Sequence, residues 1–186
     1  MGRLAFPDPP LQEDGLLLRG LVASDAPAMA RAADDPAVLH FAYGDRHRLN
    51  EPGYAREFLG GRVADLLRRD SAVMLGVFTS DGSELLGATL LWGLDLERGF
   101  GELGYWLGAS ARGRGVATRA VRATCRWGFD HLGLYRIEAL TDPANPASDA
   151  VLERVGFAFE GVRRGADKRP DGYHDSRVFS LLRTDG

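Results

Sequence analysis

The chain has a single cysteine, Cys125, among its 186 residues. A lone thiol cannot close an internal disulfide, and it cannot build a thiolate metal site by itself. Long apolar runs are missing as well: nothing approaches the ~18 continuous apolar residues a membrane helix needs. Charge of one sign is scarce, with Lys plus Arg at 23, Asp plus Glu at 26 and a net charge of −3. So mild an acidity gives no global electrostatic reason to bind nucleic acid or an anionic membrane. The opening MGRLAFPDPP carries no signal-peptide cleavage pattern, and Phe6 stands where a myristoylation motif needs Ser or Thr. A reducing cytoplasm is the expected compartment. The histidines His40, His47, His131 and His174 make no metal-ligand spacing with one another, so no metal is expected.

What is present is ordinary for a globular domain: 45% hydrophobic and 26% charged residues, in a length that suits one well-cored unit. There is no internal repeat, low-complexity tract or linker. Residues 1–15, with Pro7, Pro9 and Pro10, read as an extended arm ahead of a domain over 16–186. Residues 16–21 suit a first strand. Ser24-Asp25 before Pro27 is a helix-start signal, and that helix should fade before Pro36. Asn50-Glu51-Pro52 opens a second helical segment to about Arg69, with Phe58, Val63, Leu66 and Leu67 as its apolar stripe.

The period then changes to two. Residues 72–78 and 84–92 read as strands around a turn at 80–82, and 101–108 as a third. Residues 116–132 form an amphipathic helix, with Ala117, Val121, Cys125, Gly128 and Leu132 on one face and Arg119, Arg122, Arg126 and Asp130 on another. A strand over 135–140 follows, then a short helix begun by Asn145-Pro146 and ended by Gly156. Residues 157–162 and 177–182 close as antiparallel strands, and GVRRGADKRPDGYHD between them reads as a mobile hairpin loop. The elements compose one α+β, or mixed α/β, domain.

Between the third strand and the long helix lies Arg112-Gly113-Arg114-Gly115-Val116-Ala117, followed by Thr118 and Arg119. Glycine permits positive φ and close backbone approach, while the first N–H groups of a helix are unpaired and sit at the positive end of its dipole. With the arginines, these features describe a cradle for a pyrophosphate. The same residues also suit a solvated glycine-rich turn. No Gly-Lys-Ser/Thr follows, which excludes a Walker loop, and Thr118 stands where a dinucleotide fingerprint needs its third glycine.

GELGYWLGASARGRGVATRAV, LGLYRIEALTDPANPASDAVLERVGF and EGVRRG, in that order, resemble the GNAT superfamily of acetyl-CoA-dependent N-acetyltransferases. More narrowly they resemble its branch that acetylates the N-termini of ribosomal proteins, and the order of elements agrees over roughly residues 16–183. The resemblance implies a twisted, mostly antiparallel sheet with a parallel strand pair where the cofactor enters, flanked by helices. It implies acetyl-CoA as co-substrate and direct attack by a primary amine, most readily a protein N-terminal α-amine.

The family's Arg/Gln-x-x-Gly-x-Gly/Ala cradle maps onto Arg112, Gly115 and Ala117, and brings Gly113, Arg114, Val116 and Thr118 with it. The strand through Trp106 and Leu107 is expected to offer backbone groups to the pantetheine amides. The resemblance places a general base at Glu102, a pantetheine contact at Asn145, and a proton donor to the leaving thiolate at Ser148. Each has a plainer alternative: an exposed strand-start carboxylate, a helix cap, and a first-turn serine bonded to nearby backbone. Leu152 stands where many members carry a tyrosine acid, four residues before Gly156-Phe157, which puts the weight on Ser148 or water. Tyr105 and Trp106 read as packing residues, and Cys125 as a buried thiol rather than a nucleophile.

The acceptor is less legible. His40, His47, Phe41, Tyr43 and Trp92 could line a pocket or belong to the core, and Asp34-Asp35 could attract a cationic amine or simply be solvated. A small-molecule amine (amino sugar, amino acid or polyamine) is the alternative acceptor. A non-catalytic acyl-CoA-binding module and an NAD-binding protein are alternatives of other classes. No nucleic-acid or membrane partner is expected, and a homodimer is compatible with the sequence.

Overall fold

Residues 73–78 alternate between two apolar environments, as a strand buried on both faces must. In the computed structural model, which describes residues 4–42 and 48–185, this is β3 (Ala72–Thr79). Val73, Leu75 and Val77 enter one buried cluster, and Met74 and Phe78 enter another on the opposite face. Around β3 the chain forms β1 (Leu11–Glu13), β2 (Leu16–Gly20), β4 (Leu85–Asp95), β5 (Phe100–Leu107), β6 (Arg136–Thr141), β7 (Ala158–Arg169) and β8 (Gly172–Leu182). They make one eight-stranded sheet in the order β1-β2-β3-β4-β5-β6-β8-β7. Every neighbouring pair is antiparallel except β5 and β6, which are parallel. The expected mixed α/β architecture with one parallel pair is the one observed.

Parallel neighbours need a long crossover, and α4 (Val116–His131) supplies it. Its Val116, Ala120, Val121 and Cys125 pack with Leu103, Ile137, Ala139 and Phe179 on one face of the sheet, together with Leu152 of α5 (Pro146–Val155). The other face is covered by α1 (Ala26–Ala32), α2 (Pro52–Glu57) and the π-helical stretch Phe58–Val63, which leads into α3 (Ala64–Arg68). Met29, Ala55, Leu59 and Val63 there meet Met74, Ala88 and Trp106. That second cluster contains no residue of β6, β7 or β8. The helices therefore cover only the β2–β5 half of this face.

Three local features differ from the sequence reading. Asp25 does not cap α1 with its side chain; it accepts the Val22 N–H at 3.0 Å and pairs with Arg19 at 2.8 and 2.9 Å. GVRRGADKRPDGYHD is not a loop: β7 and β8 pair out to Arg169↔Gly172, with irregular register near Gly161 and between Arg163 and Asp167. The strands are exposed and polar there, so no apolar alternation marked them. Finally, part of the proline-bearing arm is structured. Leu11, Gln12 and Glu13 pair with Leu18, Leu17 and Leu16, and the Leu4 side chain is buried while its N–H bonds Asp70 Oδ1 at 2.6 Å.

Leu4→Ala removes buried methyl groups from the main cluster and is expected to cost about 2 kcal/mol, the low end for such truncations. Urea unfolding checks this; an unchanged midpoint would show that the arm is not part of the core.

Candidate active site

The parallel pair is short. β5 and β6 share register from Phe100↔Arg136 to Leu103↔Ala139, after which β5 runs on to Leu107 beside β4 and β6 to Thr141 beside β8. Beyond Leu103 and Ala139 the strands part and leave a gap through the sheet. Gly108 N–H bonds Leu86 C=O at 2.9 Å, and antiparallel pairing alternates, so Trp106 and Gly104 also direct their backbone groups to β4. Tyr105 and Leu107 direct theirs into the gap. This departs from the expectation for Trp106, whose ring is buried under α1, α2 and the π-helical stretch. On the gap side, the Leu107 carbonyl accepts from Arg112 Nε at 3.1 Å and Nη2 at 3.0 Å.

At the wide end of the gap stands the N-terminus of α4. Gly113 and Gly115 have φ of +73° and +70°, and a Cβ at either would meet nothing within 4 Å. Conformation rather than space demands glycine there. The first backbone bond of the helix runs from Arg119 N–H to Gly115 C=O at 3.2 Å. The N–H groups of Val116, Ala117 and Thr118 therefore have no acceptor within the helix, and the helix dipole adds positive potential beside them. The flanking arginines hold the loop in this shape. Arg112 also pairs with Asp35 at 3.1 Å, and Arg119 donates to the carbonyls of Gly115 at 3.4 Å, Arg114 at 3.3 Å, and Asp14. Arg114 is exposed at the tip. Asp34 and Asp35 are likewise tied to neighbours, Asp34 to Asn50 at 3.3 Å and Asp35 to the Ala37 N–H at 2.7 Å. They are anchors for this loop region rather than an open trap for an amine.

Glu102 lies one residue before the parting, on the face that α1–α3 leave partly open. It is in register with Trp92 on β4 and with Glu138 on β6. Glu138 is held by Arg136 at 2.7 Å and Arg163 at 2.8 Å, and Arg136 also pairs with Glu160 at 2.6 Å. Burial pushes the Glu102 carboxyl up to about 7, opposed by the Arg163 guanidinium and assisted by the charge of Glu138. Such a carboxyl exchanges a proton near neutral pH. Trp92 is 44% exposed beside it. Of the other aromatic candidates, Phe41 packs edge-on against His40 with ring centres 4.8 Å apart, and His40 Nε2 is 3.4 Å from Arg169 Nη1 on the β7–β8 hairpin. Tyr43 and His47 lie outside the described residues.

On the opposite face α5 begins beside the gap. Asn145 occupies the N-cap position with its side chain making no capping bond, while its carbonyl accepts the Ser148 N–H at 3.0 Å. Ser148 Oγ is 2.7 Å from the Tyr105 hydroxyl, and that hydroxyl is 3.0 Å from the Ser148 carbonyl. Tyr105, expected from the sequence to be a packing residue, makes a side-chain bond to α5 instead. Strand alternation places it opposite Glu102, and only the tertiary contact with α5 reveals the pairing. Cys125 is buried in the α4 cluster, where desolvation pushes its thiol up and makes a thiolate nucleophile unfavourable. Among the described residues no group of three or more His, Cys, Asp or Glu converges as a metal site.

Residues 15–158 match the family model for an acetyltransferase (GNAT) domain. The chain belongs to the GNAT family. It is 30% identical over 93% of its length to the N-acetyltransferase p20 of Bacillus licheniformis, covering 96% of that protein. It is also 30% identical to the ribosomal-protein-serine acetyltransferase of Escherichia coli over 68% of this chain and 69% of that one. The solved ribosomal-protein-S5-alanine acetyltransferase of Vibrio fischeri superposes with a TM-score of 0.82 over 95% of this chain and 97% of its own, at 22% identity. The GNAT protein is thus an acetyl-CoA-dependent acyltransferase, and the left-handed glycines and free N–H groups at α4 suit its pyrophosphate. Among the described residues no helix is long and apolar enough to cross a membrane.

A carboxyl raised by burial stabilises the fold while protonated. That contribution is complete below its ordinary value of 4.5 and is lost as pH rises through about 7. Glu102→Gln, which cannot ionise, is expected to lose less melting temperature across that window than the parent protein. Melting curves at pH values spanning the window check this, and parallel curves would place the carboxyl at its ordinary value.

Proposed function

We propose that this GNAT enzyme acetylates the N-terminal α-amine of a protein in the cytoplasm, with Glu102 as base and Ser148 as the acid facing the departing sulfur. The observation that carries the acceptor class is the open face of the sheet beside Glu102. The apolar helical cover stops at β5, and beyond it the polar side chains of Arg136, Arg163 and Glu160 surround the buried Glu138 and Ser180, while Trp92 of β4 is exposed on the other side of Glu102. An extended peptide can lie along such a surface, whereas a small amine is better served by an enclosed pocket. The names of the Escherichia coli and Vibrio fischeri relatives, both ribosomal-protein acetyltransferases, support the same reading.

The chemistry follows from the two faces. An α-amine has a pKa of about 8, so a modest base can free its lone pair near neutral pH. Glu102, poised near 7, takes the proton as the nitrogen bonds to the acetyl carbon, directly or through one water. The carbon–sulfur bond then breaks with its electron pair on sulfur. Ser148 gives that sulfur a proton and recovers one from solvent, while Glu102 returns its proton to solvent. The amine is acetylated and CoA leaves as the free thiol. Backbone groups of Tyr105 and Leu107 in the gap, the Asn145 amide, and the N–H groups of Val116, Ala117 and Thr118 hold the co-substrate, with Gly113, Arg114 and Gly115 shaping its phosphate end and Arg112 bracing the loop.

Acetyl-CoA-dependent thiol release tests this, with short Ala-, Ser- or Met-initiated peptides and small amines as parallel acceptors. Release with peptides is expected, reduced about 10–100-fold by Ser148→Ala, and reduced by Glu102→Gln most from about pH 7 upward, where the parent carboxylate is ionised, with the difference shrinking at lower pH. Release with small amines alone would overturn the acceptor class.

A further inference from the structure

Ser148 has a partner that its proposed role requires. A serine hydroxyl can assist a departing sulfur only if its single proton points at that sulfur, and a first-turn serine ordinarily turns its proton to a nearby backbone carbonyl. The Tyr105 hydroxyl is the group that changes this. It rises from β5 two residues beyond Leu103, the last residue paired with β6, and meets α5, which follows β6 in the chain. The Tyr105–Ser148 contact therefore spans the gap on the face opposite Glu102.

The tyrosine has one proton and two acceptors within reach, Ser148 Oγ at 2.7 Å and the Ser148 carbonyl at 3.0 Å. The carbonyl belongs to the helical backbone of α5 and is an acceptor for the N–H four residues on, whereas the Oγ lies at the usual O–H···O length. When Tyr105 donates to Oγ, the serine proton must point elsewhere, and the gap is the open direction. Burial keeps Tyr105 protonated, pushing its phenol up to about 12, with Asp149 and Cys125 adding to the rise against the bond from Ser148. Asp149 is itself held by Arg177 at 2.8 Å and by Thr141, so it does not compete for the Tyr105 proton.

We propose that Tyr105 is a positioning residue for the acid: by donating to Ser148 Oγ it turns the serine proton into the gap, towards the sulfur of CoA. This rests on the reading of Ser148 given above. It adds that an apparently structural tyrosine on the strand is needed for the serine to function, and that the two act as a unit.

The test is the ultraviolet titration of enzyme-bound CoA, whose thiolate absorbs where the thiol does not, in the parent protein, Tyr105→Phe, Ser148→Ala and the double variant. A hydrogen bond to the thiolate lowers its pKa, so each single variant is expected to raise the pKa of the bound thiol by about 1. The double variant is expected to titrate like Ser148→Ala, because Tyr105 acts only through Ser148. Turnover is expected to follow the same pattern, about tenfold lower in each single variant and no lower in the double. Parent-like titration of Tyr105→Phe, with Ser148→Ala shifted, would overturn the role of Tyr105 alone. Additive shifts in the double variant would also overturn it, since the residues would then act independently. Parent-like titration and turnover of Ser148→Ala would remove Ser148 from the mechanism and this inference with it.

Discussion

Strands β5 and β6 stay together only from Phe100 to Leu103 and from Arg136 to Ala139, and the chemistry of the molecule depends on where that pairing stops. Each strand has a second partner, β4 for one and β8 for the other, and each follows it when the two diverge. The divergence takes Tyr105 and Leu107 out of strand pairing on the gap side, where Arg112 satisfies the Leu107 carbonyl and the remaining backbone groups face the opening. It also puts Glu102 and the Tyr105–Ser148 pair on opposite faces of one opening. Under the proposed function, a thioester held in that opening has a base on one side and an acid on the other without any domain motion.

Charge around the opening is arranged more for shape than for attraction. Arg112 and Arg119 bind carbonyls of their own loop, and Arg112 is fixed again by Asp35. The loop is thus held with its glycines in the left-handed region, and the proposed anion site is made of backbone N–H groups plus the helix dipole, which need no side-chain ordering when a phosphate arrives. On the acceptor face Arg136 and Arg163 neutralise Glu138, so that Glu102 stands beside a paired carboxylate instead of a bare one. Its proton affinity is then governed by burial, which is the condition for a base that works near neutral pH.

Elements with apolar periodicity were legible in the sequence: β3 to β6, α4 and α5 fall where residues 72–156 suggested. Elements held by other forces were not. Three-residue β1 directly follows Pro9-Pro10 and has too few residues for a period to register. The outer half of the β7–β8 hairpin is polar on both faces, and its pairing depends on backbone bonds rather than burial. At the site, Gly113 and Gly115 were readable because only glycine takes their φ readily, and Glu102 and Ser148 were named from the resemblance. Tyr105, Glu138 and Arg163 were not, since a strand residue's partner lies on another element at a separation no local pattern encodes. The resemblance named Trp106 together with Leu107 for the cofactor strand, whereas alternation sends the Trp106 backbone to β4 and its ring into the core.

The central claim is that the acetyl group is delivered in the gap between β5 and β6, between Glu102 and Ser148. A crystal structure with CoA bound tests it most directly. The account predicts the pyrophosphate at the N–H groups of Val116, Ala117 and Thr118, and the thiol in the gap within hydrogen-bond reach of Ser148 Oγ. A thiol outside the gap, or nearer Cys125 than Ser148, would contradict it.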